Sequence, residues 1–489
     1  MKSPFSGLPD RVRPTRPEVV ALGLSLFIAG VLGFVLAGQI LSPNKRVIEA
    51  LMGIAVLVAA FMLPSRYSVA FMLFIIPFPQ NTTMGSTTVI FSYIIFAFWL
   101  LRVALGYERK PIGGGIEKPL VVIFLLFILS FTQVAPGEMD EAIKRFRIFV
   151  SSIFIFYLVL NLVRTERDIR FVLNALIASF FFVAIVAMTE IWFPGFAHIF
   201  SVLRVKTSQM ETLQGVRVGS VFGDYEMFAE YLAIFIPMLL IRVVSERVFL
   251  RQIIWLPTLM LAIMLLLATA TRGAFLSLIA GVVYLTWIAR RILNYQKMLP
   301  VLIGVLAVFY VSSIVLNQYT STASLFGRLG ETKLVRGMPE TRARVWSEAW
   351  EKIKEKPWLG HGPYYFAGVD ERNVRHWYPH SLFLFYAYLV GIPGALVFYY
   401  ILLFALRKSI LAAKAYASRR TDLAYTVVLL SAVMVIFLVD EIKISFMRYE
   451  NTQQFTWTML ALLIGSSRIA LLTAEWEKKR KERNDAALG

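Results

Sequence analysis

Apolar stretches recur along almost the whole chain, and most are long enough to cross the ~30 Å hydrocarbon core of a bilayer as a helix. They fall near 18–41, 47–63, 67–79, 88–106, 119–133, 146–163, 169–193, 225–243, 253–270, 273–289, 298–317, 380–406, 422–440 and 453–472. The run at 67–79 is the shortest. Two polar stretches interrupt the series, 194–224 and the much longer 318–379. Within the second, Val345, Trp346, Ala349, Trp350 and Ile353 follow the spacing of one helical face, and Pro357 and Gly360 close the pattern. No heptads or short-period repeats occur. The pattern predicts an all-α polytopic membrane protein with about 12–14 transmembrane helices and a partly helical loop over 318–379. Residues 1–17 are expected as a tail, 18–472 as one transmembrane domain, and 473–489 as a basic tail.

Composition agrees with this picture. The 489 residues are 58% hydrophobic with a mean hydropathy of +0.67, too apolar for a set of soluble domains. There are no cysteines, which excludes disulfides, thiolate nucleophiles, zinc–thiolate sites and iron–sulfur clusters. The opening "MKSPFSGLPDRVRPTRP" is basic and proline-rich, and the apolar run after it lacks a signal-peptide cleavage pattern, so it reads as a retained tail. Lysine and arginine cluster in every second loop, from Arg11, Arg13 and Arg16 to the "EKKRKER" terminus. The positive-inside rule then puts both termini in the cytoplasm and 194–224 and 318–379 outside. All four histidines, His198, His361, His376 and His380, fall on that outer side. The large outer loop is itself basic, which points to an anionic ligand such as lipid phosphate.

Four outer-side clusters carry candidate chemistry. In "GVRVGSVFGDYEMFAEYL", Arg217 precedes a glycine-containing turn and a helix start with Asp224, which is either a cap or part of a site. In "ATATRGAFLSL", Arg272 sits in a tight connection between two apolar runs, an expensive place for a charge unless it meets water or an anion. Arg342 and Arg344 stand at the head of the loop helix, where guanidinium groups and a helix N-terminus together suit an anion. In "VRHWYPHSLFLFYAYLVGIPGAL", His376, Tyr378 and His380 lead straight into an apolar helix, and imidazole is the usual side chain for taking a proton from a hydroxyl. Metalloprotease, hydrolase, P-loop and dinucleotide-binding signatures are missing from the sequence. "DEIK" at Asp440–Lys443 is either a structural ion pair or a coupling site.

Taken together, "RVGSVFGDYEMFAEYL", "TRGAFLSL", "TRARVWSEAWEKIKEKPWLGHGPYYF" and "PHSLFLFYAYLVGIPGAL", in that order over 215–405, resemble the O-antigen ligase and polymerase family of bacterial membrane glycosyltransferases. The resemblance implies a fold of the GT-C type in the bacterial inner membrane, with the active site facing the periplasm. It also implies transfer of a glycan from undecaprenyl diphosphate to an acceptor hydroxyl without a metal or other cofactor. The implied partners are the lipid-linked glycan donor, lipid A–core or another glycan acceptor, and membrane lipid, with no nucleic acid. His380 would be the catalytic base. Arg217, Arg272, Arg342 and Arg344 would hold the diphosphate, and His376, Tyr378, His361 and Asp224 would support them. One departure stands out, since the family commonly has Asn after the histidine and here Ser381 follows. A ligase leads; a polymerase that uses a second lipid-linked glycan as acceptor is the first alternative, and a membrane transporter the second.

Overall fold

The computed structural model describes residues 64–77, 87–193, 211–212, 215–222, 224–245, 249–290, scattered positions over 303–318, 334–335, 338–364, 367–370, 373–376, 379–416, 422–443, 447 and 449–488. The runs expected at 18–41 and 47–63, and part of that at 298–317, lie outside the described residues, as do His198 and Tyr378. The helices are α1 (Ser65–Ile75), α2 (Thr87–Ala104), α3 (Glu117–Ser130), α4 (Met139–Leu162), α5 (Glu166–Trp192), α6 (Tyr225–Ser245), α7 (Phe249–Ala268), α8 (Arg272–Ala289), α9 (Glu340–Glu355), α10 (Leu382–Tyr416), α11 (Asp422–Lys443) and α12 (Glu450–Leu488). Three antiparallel hairpins of two to four residues per strand accompany them: Glu211–Thr212 with Gly215–Val216, Leu334–Val335 with Met338–Pro339, and Ala367–Asp370 with Asn373–His376. Helices build the architecture, and the protein is an all-α, multi-pass membrane protein. Four helices among the described residues are long and apolar enough to cross a bilayer: Glu166–Trp192, Leu382–Ala415, Leu423–Ile442 and Glu450–Ala486.

Between helices in lipid, close packing and polar ties replace the hydrophobic drive that operates in water. An aromatic ladder supplies much of the packing. Phe127 of α3 stacks on Phe149 of α4, which meets Trp457 of α12, which in turn meets Phe398 of α10. At one end of the bundle, cationic side chains close helix ends. Arg468 donates to the carbonyls of Leu160 and Val163 at the end of α4, and Lys408 donates to the Gly114 carbonyl in the loop before α3. A capping box of Thr165 and Asp168 starts α5 at the same end. Helices α8 and α11 run antiparallel in close contact. A Cβ at Gly281 would lie 2.2 Å from Ile436, and Ser277 donates to Asp440 across the same seam.

The stretch expected as one span over 380–406 is two limbs. Val390 and Gly391 leave helical geometry, Gly391 at φ +77°, and Pro393 and Gly394 follow. In a straight helix Phe383 and Tyr399 would be ~24 Å apart along the axis, yet their rings lie 5.9 Å apart. Tyr386 stacks on Phe398 at 4.0 Å. The short limb 382–389 therefore folds back along the start of the long limb 392–416. A 35-residue continuous helix would measure ~52 Å, well beyond the hydrocarbon thickness; the fold-back removes that excess.

A break in a helix leaves the last carbonyls of one limb and the first N–H groups of the next without partners, which is costly at membrane depth. Here the segment that follows α9 supplies them. The N–H groups of His361 and Gly362 donate to the carbonyls of Tyr388 and Leu389 at 2.7 and 3.1 Å, and the Ile392 N–H donates to Pro357 at 2.8 Å. Backbone approaches backbone so closely that side chains are excluded. A Cβ on Gly360 would sit 2.5 Å from the Tyr388 carbonyl oxygen, and one on Gly391 would sit 2.2 Å from that of Trp358. The Pro357-x-x-Gly360-x-Gly362 motif and the glycine-rich break, far apart in sequence, are two halves of one plug.

Candidate functional site

Three separate segments carry the expected residues, and the first two of them are in direct contact. The first is the turn after residue 216. Arg217 is buried, its guanidinium lying over the Tyr225 ring, and its Nε donates to the Thr269 carbonyl at 2.8 Å. Its Nη2 donates to Thr271 Oγ1 at 2.9 Å and to the Ala270 carbonyl at 3.4 Å. All three acceptors lie in the connection between α7 and α8, directly before Arg272. The structure thus brings together the two arginines of separate motifs, with Arg217 bracing the turn from which Arg272 opens α8. The turn itself is held from α5, since Glu190 accepts from the N–H groups of Gly219 and Ser220. Asp224 caps α6, its Oδ1 accepting from the N–H groups of Glu226 and Met227.

The third segment carries His380. Pro379 and Ser381 on either side are buried, and His380 itself is half-buried. The Ser381 carbonyl accepts the first helical bond, from Phe385, so Ser381 occupies the N-cap position of the short limb. Asn and Ser are both residue types favoured at N-caps. Beyond the first turn the fold-back brings Tyr399 against Phe383, with Glu441 of α11 close enough to act on the Tyr399 hydroxyl. Asp440 and Glu441 are both buried on α11.

Backbone strain singles out the same three segments. Among the described residues, the non-glycine positions with left-handed φ are Ser220 (+49°), Ala270 (+50°) and His380 (+46°). One falls beside Arg217, one beside Arg272 and one on the candidate base. Strained positions of this kind concentrate at functional sites, where the surroundings hold them.

Other expected residues lie elsewhere. Arg344 is exposed on α9, 3.8 Å from Glu348, one turn further along the same helix. Arg342 lies in the first turn of α9 and His376 at the end of the last hairpin; the side chains of both are outside the described residues. His361 belongs to the plug. Its Nε2 donates to the Lys352 carbonyl at 2.8 Å, and its ring stacks on Tyr388 with centroids 4.7 Å apart. Burial pushes its pKa below the ordinary histidine value, opposed by the Lys352 hydrogen bond. Sequence reasoning missed Glu190, Tyr225 and Thr271, whose roles exist only through contacts with distant segments. It also took 380–406 as one span, whereas the chain turns back at Gly391.

The fold is that of a multi-pass membrane protein. The O-antigen ligase family model matches residues 257–399, which supports the O-antigen ligase and polymerase family for this chain. The matched region runs from α7 through Arg272, α9, the plug and His380, and ends at Tyr399, where the fold-back closes on Phe383. Arg217 precedes it. No curated protein matches the chain. The family implies a lipid-linked glycan substrate in a membrane setting.

Proposed function

We propose that the protein is a periplasmic-face glycosyltransferase of the bacterial inner membrane, with both termini cytoplasmic. It moves a glycan from undecaprenyl diphosphate to a hydroxyl of lipid A–core or a similar acceptor. The observation that carries this reading is the convergence of strain and charge: each of the three left-handed residues lies in a segment bearing Arg217, Arg272 or His380. In the reaction the acceptor oxygen attacks the anomeric carbon of the donor sugar, and the bond from that carbon to the diphosphate oxygen breaks. The hydroxyl proton passes to the His380 imidazole, and undecaprenyl diphosphate leaves. Charge grows on the diphosphate as it departs, and fixed guanidinium groups stabilise it without reorganising. Arg272 at the start of α8 supplies that charge, with Arg217 holding its turn; Arg342 acts on the same donor, as the resemblance implies. As the resemblance implies, no metal takes part.

The test uses purified protein in lipid, given an undecaprenyl diphosphate oligosaccharide with and without lipid A–core, with product size followed by mass spectrometry. Donor consumption only in the presence of lipid A–core is the expected result. Lengthening of the lipid-linked glycan with donor alone would make the protein a polymerase instead. His380→Ala should bind donor normally and turn over at least ~10²-fold more slowly, the scale of a lost general base; wild-type turnover by that variant would remove His380 from the mechanism.

A further inference from the structure

His361 sits where two helices end. Helix α9 stops at Glu355, so the Lys352 carbonyl belongs to the last turn, whose oxygens lack ordinary helical partners. The Lys356 N–H, which would have reached it in a longer helix, donates to Ile353 instead. The His361 ring fills the vacancy, and because the acceptor is a carbonyl, Nε2 carries the hydrogen. The short limb of α10 ends one residue past Tyr388, whose carbonyl is likewise at a helix terminus. The main-chain N–H of the same His361 takes that one at 2.7 Å, and the ring lies flat on the Tyr388 ring, 15° from parallel. One residue therefore closes the C-terminal ends of two helices, one with its side chain and the other with its backbone.

What those helices carry gives the junction its meaning. Helix α9 bears Arg342 and Arg344. The short limb is eight residues, ~12 Å long, with its far end at His380. It is also held along its length, by Tyr386 on Phe398 and Phe383 on Tyr399. A small rotation at the plug would then swing the imidazole at the other end of a stiff rod. We propose that His361 is a positioning residue that fixes the His380 limb to the end of α9, so that the base is aligned by the helix expected to engage the donor. This rests on the reading of His380 as base given above.

The experiment compares His361→Ala, His361→Gln and His361→Phe in the full chain, in lipid, with unfolding temperature measured beside donor KM and kcat. His361→Ala keeps the backbone bond and loses the side-chain cap and the stacking. Its kcat should fall ~10²-fold, the scale expected when a reacting group is misplaced by about an ångström, while donor KM stays within about twofold. His361→Gln can still donate an amide hydrogen to Lys352 and should recover most of the rate, whereas His361→Phe, which only stacks, should not. The proposal is overturned by a wild-type kcat in His361→Ala. It is equally overturned by a loss confined to donor KM, or by failure of all three variants to fold, which would make the residue purely structural. The base reading is judged separately by His380→Ala. If that variant turns over normally the chemistry assigned to His380 is wrong, whereas an inactive His380→Ala beside a normal His361→Ala defeats the positioning role alone.

Discussion

A histidine in left-handed backbone conformation costs on the order of 1–3 kcal/mol relative to an ordinary helix start, so something must hold His380 at φ +46°. Buried Pro379 and Ser381 on either side and the packed rings of the short limb do this. His361, in the plug, is under a different constraint. Burial lowers its pKa first, and the charges of Lys356 and Lys352 push the same way, while the hydrogen bond to the Lys352 carbonyl and the charge of Glu355 oppose them. The unfolded segment therefore takes up a proton more readily than the folded plug. Its stabilising contribution is complete above the ordinary histidine pKa of ~6.5 and is lost as pH falls from there toward the lowered folded value. Hydrogen exchange in 356–362, corrected for intrinsic rates, should accelerate as pH drops from ~7.5 to ~5.5. The same scan on His361→Gln should be flat; an identical acceleration there would place the titrating group elsewhere. At this scale the sequence revealed residue types and little of their partners. Arg217 and Arg272 were both visible as unusual charges, but nothing in a linear pattern says that one arginine bonds the turn that carries the other.

At the scale of elements, periodicity located nearly every described helix and failed at α10 for a definite reason. Residues 382–406 are apolar on all sides, so the pattern holds no face that would reveal a reversal; only Gly391, Pro393 and Gly394 mark it, and they read equally well as a helix end. The partner that makes the break tolerable lies some thirty residues upstream, in Pro357–Gly362. Two glycines separate the contributions at such a break. Gly391 and Gly106 have nearly the same φ, +77° and +79°, but a Cβ on Gly106 meets nothing within 4 Å while one on Gly391 meets the Trp358 carbonyl at 2.2 Å. Gly106→Ala should cost about 1 kcal/mol, the conformational part alone. Gly391→Ala should cost a further ~1–3 kcal/mol, because backbone must move out of the way. Thermal unfolding of both variants in the same detergent reads the difference. Equal shifts would mean that the plug gives way easily and does not hold the break.

For the molecule as a whole, the fold-back predicts an order of depth that a simple span would not give. If 380–406 crossed the membrane directly, Leu382 would stand at the outer mouth and Gly391 nine residues deeper. In the structure Gly391 meets Trp358 of the segment that follows α9, Trp358 is 74% exposed, and Leu382 is fully buried. The absence of native cysteine makes this directly measurable, since every introduced thiol is the only one. In spheroplasts, a membrane-impermeant maleimide should label Trp358→Cys and Glu351→Cys quickly and leave Leu382→Cys untouched until the protein is denatured. Lys481→Cys, on the charged extension of α12 beyond the apolar part of that helix, should react only after the membrane is opened. Labelling of Lys481→Cys in sealed spheroplasts would reverse the orientation drawn from the loop charges and move the proposed site to the cytoplasmic face. Rapid labelling of Leu382→Cys would instead restore a direct span and take away the lever on which the positioning of His380 depends. The two failures are independent, because orientation follows from charge distributed over the whole chain, whereas the fold-back follows from one glycine and the carbonyls that surround it.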